Sequence, residues 1–313
     1  MGSAAGRRLA FGACVVFMLV AGTPAQATFP GANGWITHAQ VEGSGDQEPV
    51  IESSKLAAVS PDGRRDRVLQ ECELTDGVPS GGDCTVTMHG DPSYSPDGRR
   101  IVFDAGRQLA VIDSDGGGLT LLPAQTDDDG SPAFAPDGRR IVFTGSNDRG
   151  TTDLYVRRLG GGSRLVVQDA GEPAWSSRGI LAYVRSGNVY VARPGGRHRR
   201  FVTSGVSPDW SPSGLRLVLI RPLPSLVFDA PIGRMYVVRS DGRGLRQVRG
   251  VGNTVLNPVW SPDGRSVAYD GLEAGVYAKR LGRRYRAREV APTQFGSEGA
   301  VVASFEPAWR PAP

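Results

Sequence analysis

Short apolar runs recur along this chain, and a common polar turn precedes them. Ile101-Val-Phe103, Ile141-Val-Phe143 and Val267-Ala-Tyr269 are such runs. The tract ahead of them reads Pro92-Ser-Tyr-Ser-Pro-Asp-Gly98, then Pro132-Ala-Phe-Ala-Pro-Asp-Gly138. Looser copies span residues 173–179, 208–214 and 258–264, and a truncated copy begins at Pro307. Apolar runs bounded by Pro, Asp and Gly predict strands joined by hairpins. Proline presets φ at the first central turn position, Asp suits the next, and Gly takes the left-handed position. Repetition at intervals of several tens of residues predicts a repeat architecture.

A second apolar motif interleaves with the first. Leu109-Ala-Val-Ile-Asp-Ser-Asp-Gly116, Val189-Tyr-Val-Ala-Arg-Pro-Gly195 and Met235-Tyr-Val-Val-Arg-Ser-Asp-Gly242 each read as a strand and a glycine turn before another short strand. Leu56-Ala-Ala-Val-Ser-Pro-Asp-Gly63 belongs to this set, so Ser60 does not open a further unit. Each unit then predicts four antiparallel strands. Strand one carries an aromatic residue: Tyr94, Phe134, Trp175, Trp210, Trp260 or Trp309. The expected fold is all-β, a six-bladed β-propeller of four-stranded antiparallel blades. Residues 34–39 read as a strand two with no strand one before it. Residues 307–310 read as a strand one with nothing after it. Their pairing in one blade would close the ring. Ser177-Arg178 replaces Pro-Asp in the third copy, and Ser213 replaces Asp in the fourth, so looser turns are expected there.

Composition adds a setting. Arg7-Arg8, an apolar run from Leu9 to Gly22 and Ala25-Gln26-Ala27 predict a secretory signal peptide over residues 1–27, cleaved before Thr28. The apolar run is short for a spanning helix, and no later segment is longer. Residues 28–313 are therefore expected as one exported domain, secreted or in the periplasm or cell envelope. No membrane span is expected in the mature chain, and a monomer is expected. Cys72 and Cys84 remain in an oxidising setting and are expected to form a disulfide, stabilising by roughly 3 kcal/mol. The formal charge of +4 is carried almost wholly by arginine, with lysine only at Lys55 and Lys279. That bias does not point to nucleic acid as a partner.

The repeat tract with its trailing arginine, together with the downstream Tyr-Val-x-x-x-Asp-Gly, resembles the TolB-type β-propeller repeat. Phe29-Pro-Gly-Ala-Asn-Gly34 is similar to the entry of small exported actinobacterial members that lack the TolB N-terminal domain. The resemblance covers about residues 29–310. It implies the propeller and an envelope or extracellular setting, and it does not carry over TolB's own partner. The same repeat type caps prolyl-oligopeptidase-like enzymes, but the Gly-x-Ser-x-Gly elbow those need does not occur here.

Topology directs the search for chemistry. The tight turns fall on one face of the ring and carry Arg64, Arg99, Arg139, Arg178, Arg243 and Arg265, which predicts a basic face. The long connections, residues 40–55, 71–91, 221–233 and 291–303, fall on the other. Insertions on one face of a repeat protein often mark its binding side. That face holds Asp127, Asp128, Asp129 and Glu172, and an apolar tract with Leu223, Leu226 and Phe228 ahead of Asp229. The expected function is a noncatalytic scaffold that binds a protein or cell-envelope ligand there, with acidic groups attracting cationic partners. The alternative is a small hydrolase or lactonase using carboxylates around the axis. Residues 127–129 are also a candidate Ca²⁺ site, although they lack the alternate spacing of calcium loops. No other cofactor or metal is expected. His38, His89 and His198 have no ligand spacing and read as ordinary strand or surface histidines.

Overall fold

The computed structural model describes residues 28–44, 50–75, 78–79, 89–223, 233–252, 255–271, 275–282, 286–292, 294–295 and 301–312. Every regular element among them is a strand. The chain opens with β1 (Ala32–Ser44), β2 (Val50–Val59), β3 (Asp66–Thr75) and β4 (Val78–Pro79). Three four-stranded sheets follow. The first is β5 (Gly90–Tyr94), β6 (Arg100–Asp104), β7 (Leu109–Asp113) and β8 (Thr120–Leu121). The second is β9 (Asp129–Phe134), β10 (Arg140–Ser146), β11 (Thr152–Arg158) and β12 (Ser163–Val167). The third is β13 (Gly171–Trp175), β14 (Leu181–Arg185), β15 (Asn188–Arg193) and β16 (Arg197–Ser204).

An eight-stranded sheet comes next. It joins β17 (Val206–Trp210), β18 (Arg216–Pro222), β19 (Gly233–Arg239) and β20 (Arg246–Gln247) to β21 (Val255–Trp260), β22 (Ser266–Gly271), β23 (Val276–Arg280) and β24 (Arg288–Ala291). Among the described residues the two halves meet in one pair, Gly233 with Val255. The last strands, β25 (Gln294–Phe295) and β26 (Val301–Ala312), return to the first sheet, whose order is β25-β26-β1-β2-β3-β4. β26 lies antiparallel to β1, with Ile36 opposite Trp309.

The repeat aromatics close the inner strands and pack between sheets. Tyr94, Phe134, Trp175, Trp210, Trp260 and Trp309 are all buried. Phe134 and Trp175 share one core with Phe143 and Tyr183, and Trp210 and Trp260 share another with Leu219 and Tyr269. Each inner strand also lies against the next: β26 beside β5, then β9, β13, β17, β21, and back to β26. The ring is thus closed by packing of inner strands as well as by strand pairing.

Two local expectations change. The turns at Ser177-Arg178 and Ser213 are as tight as the others. Gly179 N–H donates to Ser176 O at 2.9 Å and Gly214 N–H to Ser211 O at 2.7 Å, against 2.9 Å for Gly98 to Ser95. The left-handed glycine and the opening serine suffice to close the turn. The connection expected over residues 40–55 is mostly strand, because β1 and β2 run far beyond the body of the sheet. A cross-strand ion ladder supports this extension: Lys55 on β2 meets Glu42 on β1 at 3.1 Å and Glu71 on β3 at 2.9 Å. Within residues 71–91 and 291–303, β3, β4, β25 and β26 likewise take up part of the expected loops.

The arginines of the turn face do more than solvate it. Arg310 donates to Gly98 O at 2.9 Å, Arg100 to Gly138 O at 2.7 Å and Arg178 to Ser213 O at 2.8 Å. Farther out, Arg67 donates to Ser114 O at 2.9 Å and Arg200 to Ser240 O at 2.7 Å. Each of these bonds runs from one sheet to a turn of the next, so these arginines latch neighbouring units together.

Candidate functional site

The residue ahead of each repeat proline occupies an equivalent, unusual place. These residues are Asp91, Ser131, Glu172, Ser207, Asn257 and Glu306. All have positive φ, between 46° and 56°. L-residues other than glycine seldom adopt this region. At each of them the pairing of the inner strand slips, as between Gly90 and Ser93 on β5 or between Val206 and Asp209 on β17. Proline supplies no N–H to the ladder, so a bulge forms at the X-Pro step. Six bulges around one axis turn six polar side chains out of the regular strand alternation.

Hydrogen bonds connect these residues across sheets. Asp91 N–H donates to Glu306 Oε2 at 2.8 Å, and Ser131 Oγ donates to Asp91 Oδ2 at 2.9 Å. Ser207 N–H donates to Glu172 Oε2. Glu306 N–H donates to Asp270 Oδ2 at 3.0 Å, and Asn257 Nδ2 donates to the same oxygen at 2.8 Å. Asp270 comes from the end of β22. Asp104, from the end of β6, accepts from Gly106 N–H at 2.8 Å. Gly90 separates the two acids: a Cβ there would stand 3.2 Å from Glu306 Oε2 and 3.7 Å from Asp104 Cβ.

Asp91, Asp104, Asp270 and Glu306 thus form an acid cluster near the axis, on the side of the long connections. Burial raises all four carboxyls. Asp91 is pushed up to about 6. Asp104 is pushed to about 7, with the charge of Asp91 adding to burial. Asp270 is pushed to about 8, and Glu306 is well above the usual range. Asp91 Oδ1 and Asp270 Oδ1 are buried without a hydrogen-bond partner. Asp209 is a separate buried acid, pushed to about 7, which accepts from Trp260 N–H at 2.7 Å and from Thr28 Oγ1 at 2.8 Å. It ties Thr28 to two inner strands, β17 and β21.

The sequence-predicted site residues fall in different places. Glu172 is a member of the axial series. Asp129 is fully buried and braces its own turn, accepting from Gln125 N–H at 2.6 Å and Thr126 N–H at 3.0 Å. Asp127 and Asp128 are exposed beside it. Both oxygens of Asp129 are thus engaged by one turn, and no cluster of three or more His, Cys, Asp or Glu able to hold a metal occurs among the described residues. Leu223 is half-buried just after β18, whereas Leu226, Phe228 and Asp229 lie outside the described residues. Cys72 is buried on β3, and Cys84 lies outside the described residues, as does the whole of residues 1–27. His38 and His89 are buried, and burial lowers both to about 4. His198 is exposed.

Sequence reasoning does not reach Asp91, Asp104, Asp270 and Glu306. A usable signal is present: the residue before each repeat proline is always polar. Its significance comes from the ring, which brings six distant positions around one axis.

No protein-family model matches the chain, and comparison with curated proteins finds no match. Solved structures do match. TolB from Acinetobacter baumannii superposes with a TM-score of 0.61 at 17% identity, covering 89% of this chain and 67% of that one. A chain of the nidogen/laminin complex gives 0.61 at 12% identity, covering 88% and 98%. Hydrazine synthase of Kuenenia stuttgartiensis gives 0.65 at 14% identity, covering 90% of this chain but 47% of that one. The chain is an all-β propeller. More narrowly it is TolB-like, and at these identities the likeness is one of fold alone. No helix among the described residues is long and apolar enough to cross a membrane.

Proposed function

We propose that this protein is an exported, noncatalytic six-bladed propeller that binds a protein or cell-envelope ligand through its long-connection face. The blade count takes the eight-stranded sheet as two blades, since among the described residues one pair joins its halves. The proposal includes cleavage after Ala27 and a Cys72–Cys84 disulfide. The observation that carries the reading is the cross-sheet bonding of the axial acids. Their oxygens accept from backbone N–H groups of the next inner strand, which makes the acids braces of a rigid mouth. A mouth held rigid in this way, with Asp127 and Asp128 exposed on the same face, suits recognition of a cationic segment, because little order must be imposed on binding. The nidogen/laminin neighbour shows a fold of this kind within a protein complex.

The test is capture from envelope extract with wild type, an Asp127→Lys/Asp128→Lys variant and a deletion of residues 223–228. Loss of the same captured protein in either variant, with an unchanged melting temperature, is the expected result. Identical capture by all three would reject this face.

A hydrolase is the second reading, favoured by the carboxyls raised into the range of 6 to 8, where general acids operate near neutral pH. Turnover of aryl glycosides or lactones by wild type, abolished by Asp104→Asn, would establish it in place of the scaffold.

A further inference from the structure

The outer edge of the third sheet carries an uncompensated positive charge. β16 is its outermost strand and pairs only with β15. Arg197, His198, Arg199, Arg200 and Phe201 are all exposed. Arg197 sits directly opposite Arg193 on β15. Like charges placed opposite each other across an antiparallel pair are destabilising. Among the described residues no carboxylate pairs with Arg164, Arg193, Arg197 or Arg199; nearby Asp169 is engaged by Arg149 and Arg185, and Asp241 by Arg239.

The patch is continuous with its neighbours. A Cβ on Gly195 would stand 3.8 Å from the Arg164 guanidinium on β12, so the β15–β16 turn packs beside that strand. On the other side Arg200 reaches Ser240 O, next to the turn that carries exposed Arg243. One apolar group lies beside these cations. Phe201 is 53% exposed. Phe201 stands edge-on to Tyr190 with centroids 5.9 Å apart, and the Arg199 guanidinium lies 5.7 Å from the same ring.

We propose that this edge, formed by β12, β15 and β16, docks the protein on an anionic lipid bilayer. Guanidinium groups match phosphate oxygens in bidentate geometry. A cluster of several arginines is the electrostatic footprint of anionic lipid, and an exposed Phe sits at the headgroup boundary. A soluble polyanion would satisfy the arginines but leave Phe201 in water, which favours the bilayer. Charge on a free edge strand also discourages pairing with other sheets. That role alone does not account for Arg193 facing Arg197, because β15 is not an edge strand. The surface lies at the rim of the disc and does not depend on what the long-connection face binds.

The experiment is co-sedimentation with vesicles of phosphatidylglycerol and phosphatidylcholine, against phosphatidylcholine alone, over a range of NaCl. Wild type is expected to bind only the anionic vesicles and to be released by salt. Arg164→Ala/Arg193→Ala/Arg197→Ala should weaken binding on the order of a hundredfold, at about fivefold per arginine. Replacing the same three residues by lysine should preserve most of the binding. Phe201→Ser should weaken it with no change in melting temperature. Equal binding to both vesicle types, or no binding to either, would overturn the proposal whatever the variants do. So would retention of soluble polyphosphate without vesicle binding, or a triple alanine variant that is monomeric and binds as wild type does.

Discussion

Asp91, Ser131, Glu172, Ser207, Asn257 and Glu306 each combine a positive φ with a following proline. The strain of this conformation is of order 1–3 kcal/mol per residue and persists only where surroundings over-determine it. Here the cross-sheet hydrogen bonds supply that determination. The acids among and beside them also make stability depend on pH. Asp104 and Asp270 rise from 3.8 in the free side chain to about 7 and about 8 when folded. The folded state therefore holds protons that the unfolded chain has lost, and stability falls as pH rises through those values. His38 and His89 act in the opposite sense, and their effect fades as the unfolded imidazoles lose their protons around 6.5. Between pH 6.5 and 8.5 the acids outweigh that fading contribution, and the melting temperature should drop. Asp270→Asn, which keeps an acceptor for Asn257 and Glu306, should flatten that slope. A melting temperature that is constant or rises over this window would refute the protonated cluster.

Turns and strands are the most legible elements. The Pro-Asp-Gly signal needs only local chemistry, and even the divergent copies at Ser177-Arg178 and Ser213 close the same hydrogen bond. Glycine at the last turn position is required by a φ near +70°. What each turn touches is not legible. Gly160 (φ 77°) has open space where a Cβ would stand, whereas at Gly98 (φ 67°) a Cβ would overlap the Pro311 carbonyl oxygen on β26. Gly160→Ala should therefore cost about 1–2 kcal/mol, the left-handed penalty alone. Gly98→Ala should cost measurably more in urea denaturation, because backbone must also move. Equal losses would argue against the contact between this turn and the closing strand. The long arms of β1, β2 and β3 read as loops in the sequence. Their polar composition hides the strand signal until Glu42, Lys55 and Glu71 line up across the sheet.

Closure is a property of the whole molecule. β26 pairs with β1, packs beside both β5 and β21, and contributes Glu306 to the axial cluster and Trp309 to the core. Deletion of residues 305–313 should remove all of these at once. The truncated chain is expected to lose its cooperative thermal transition in circular dichroism. An unchanged melting curve would show that the ring does not rely on this strand.

The sequence by itself determined the strand and turn pattern, the repeat, the buried aromatic positions and the pairing of the two chain ends. Those features follow from neighbours close along the chain: apolar runs, X-Pro steps and left-handed glycines. Only the tertiary structure decided that six pre-proline residues share one axis, that turn-face arginines latch adjacent sheets, and that Asp129 braces its own turn. Each depends on residues from different sheets, or on which atoms a polar side chain reaches, and periodicity carries neither. The same holds for the rim: Arg193 and Arg197 are four positions apart in sequence, and only the hairpin sets them face to face.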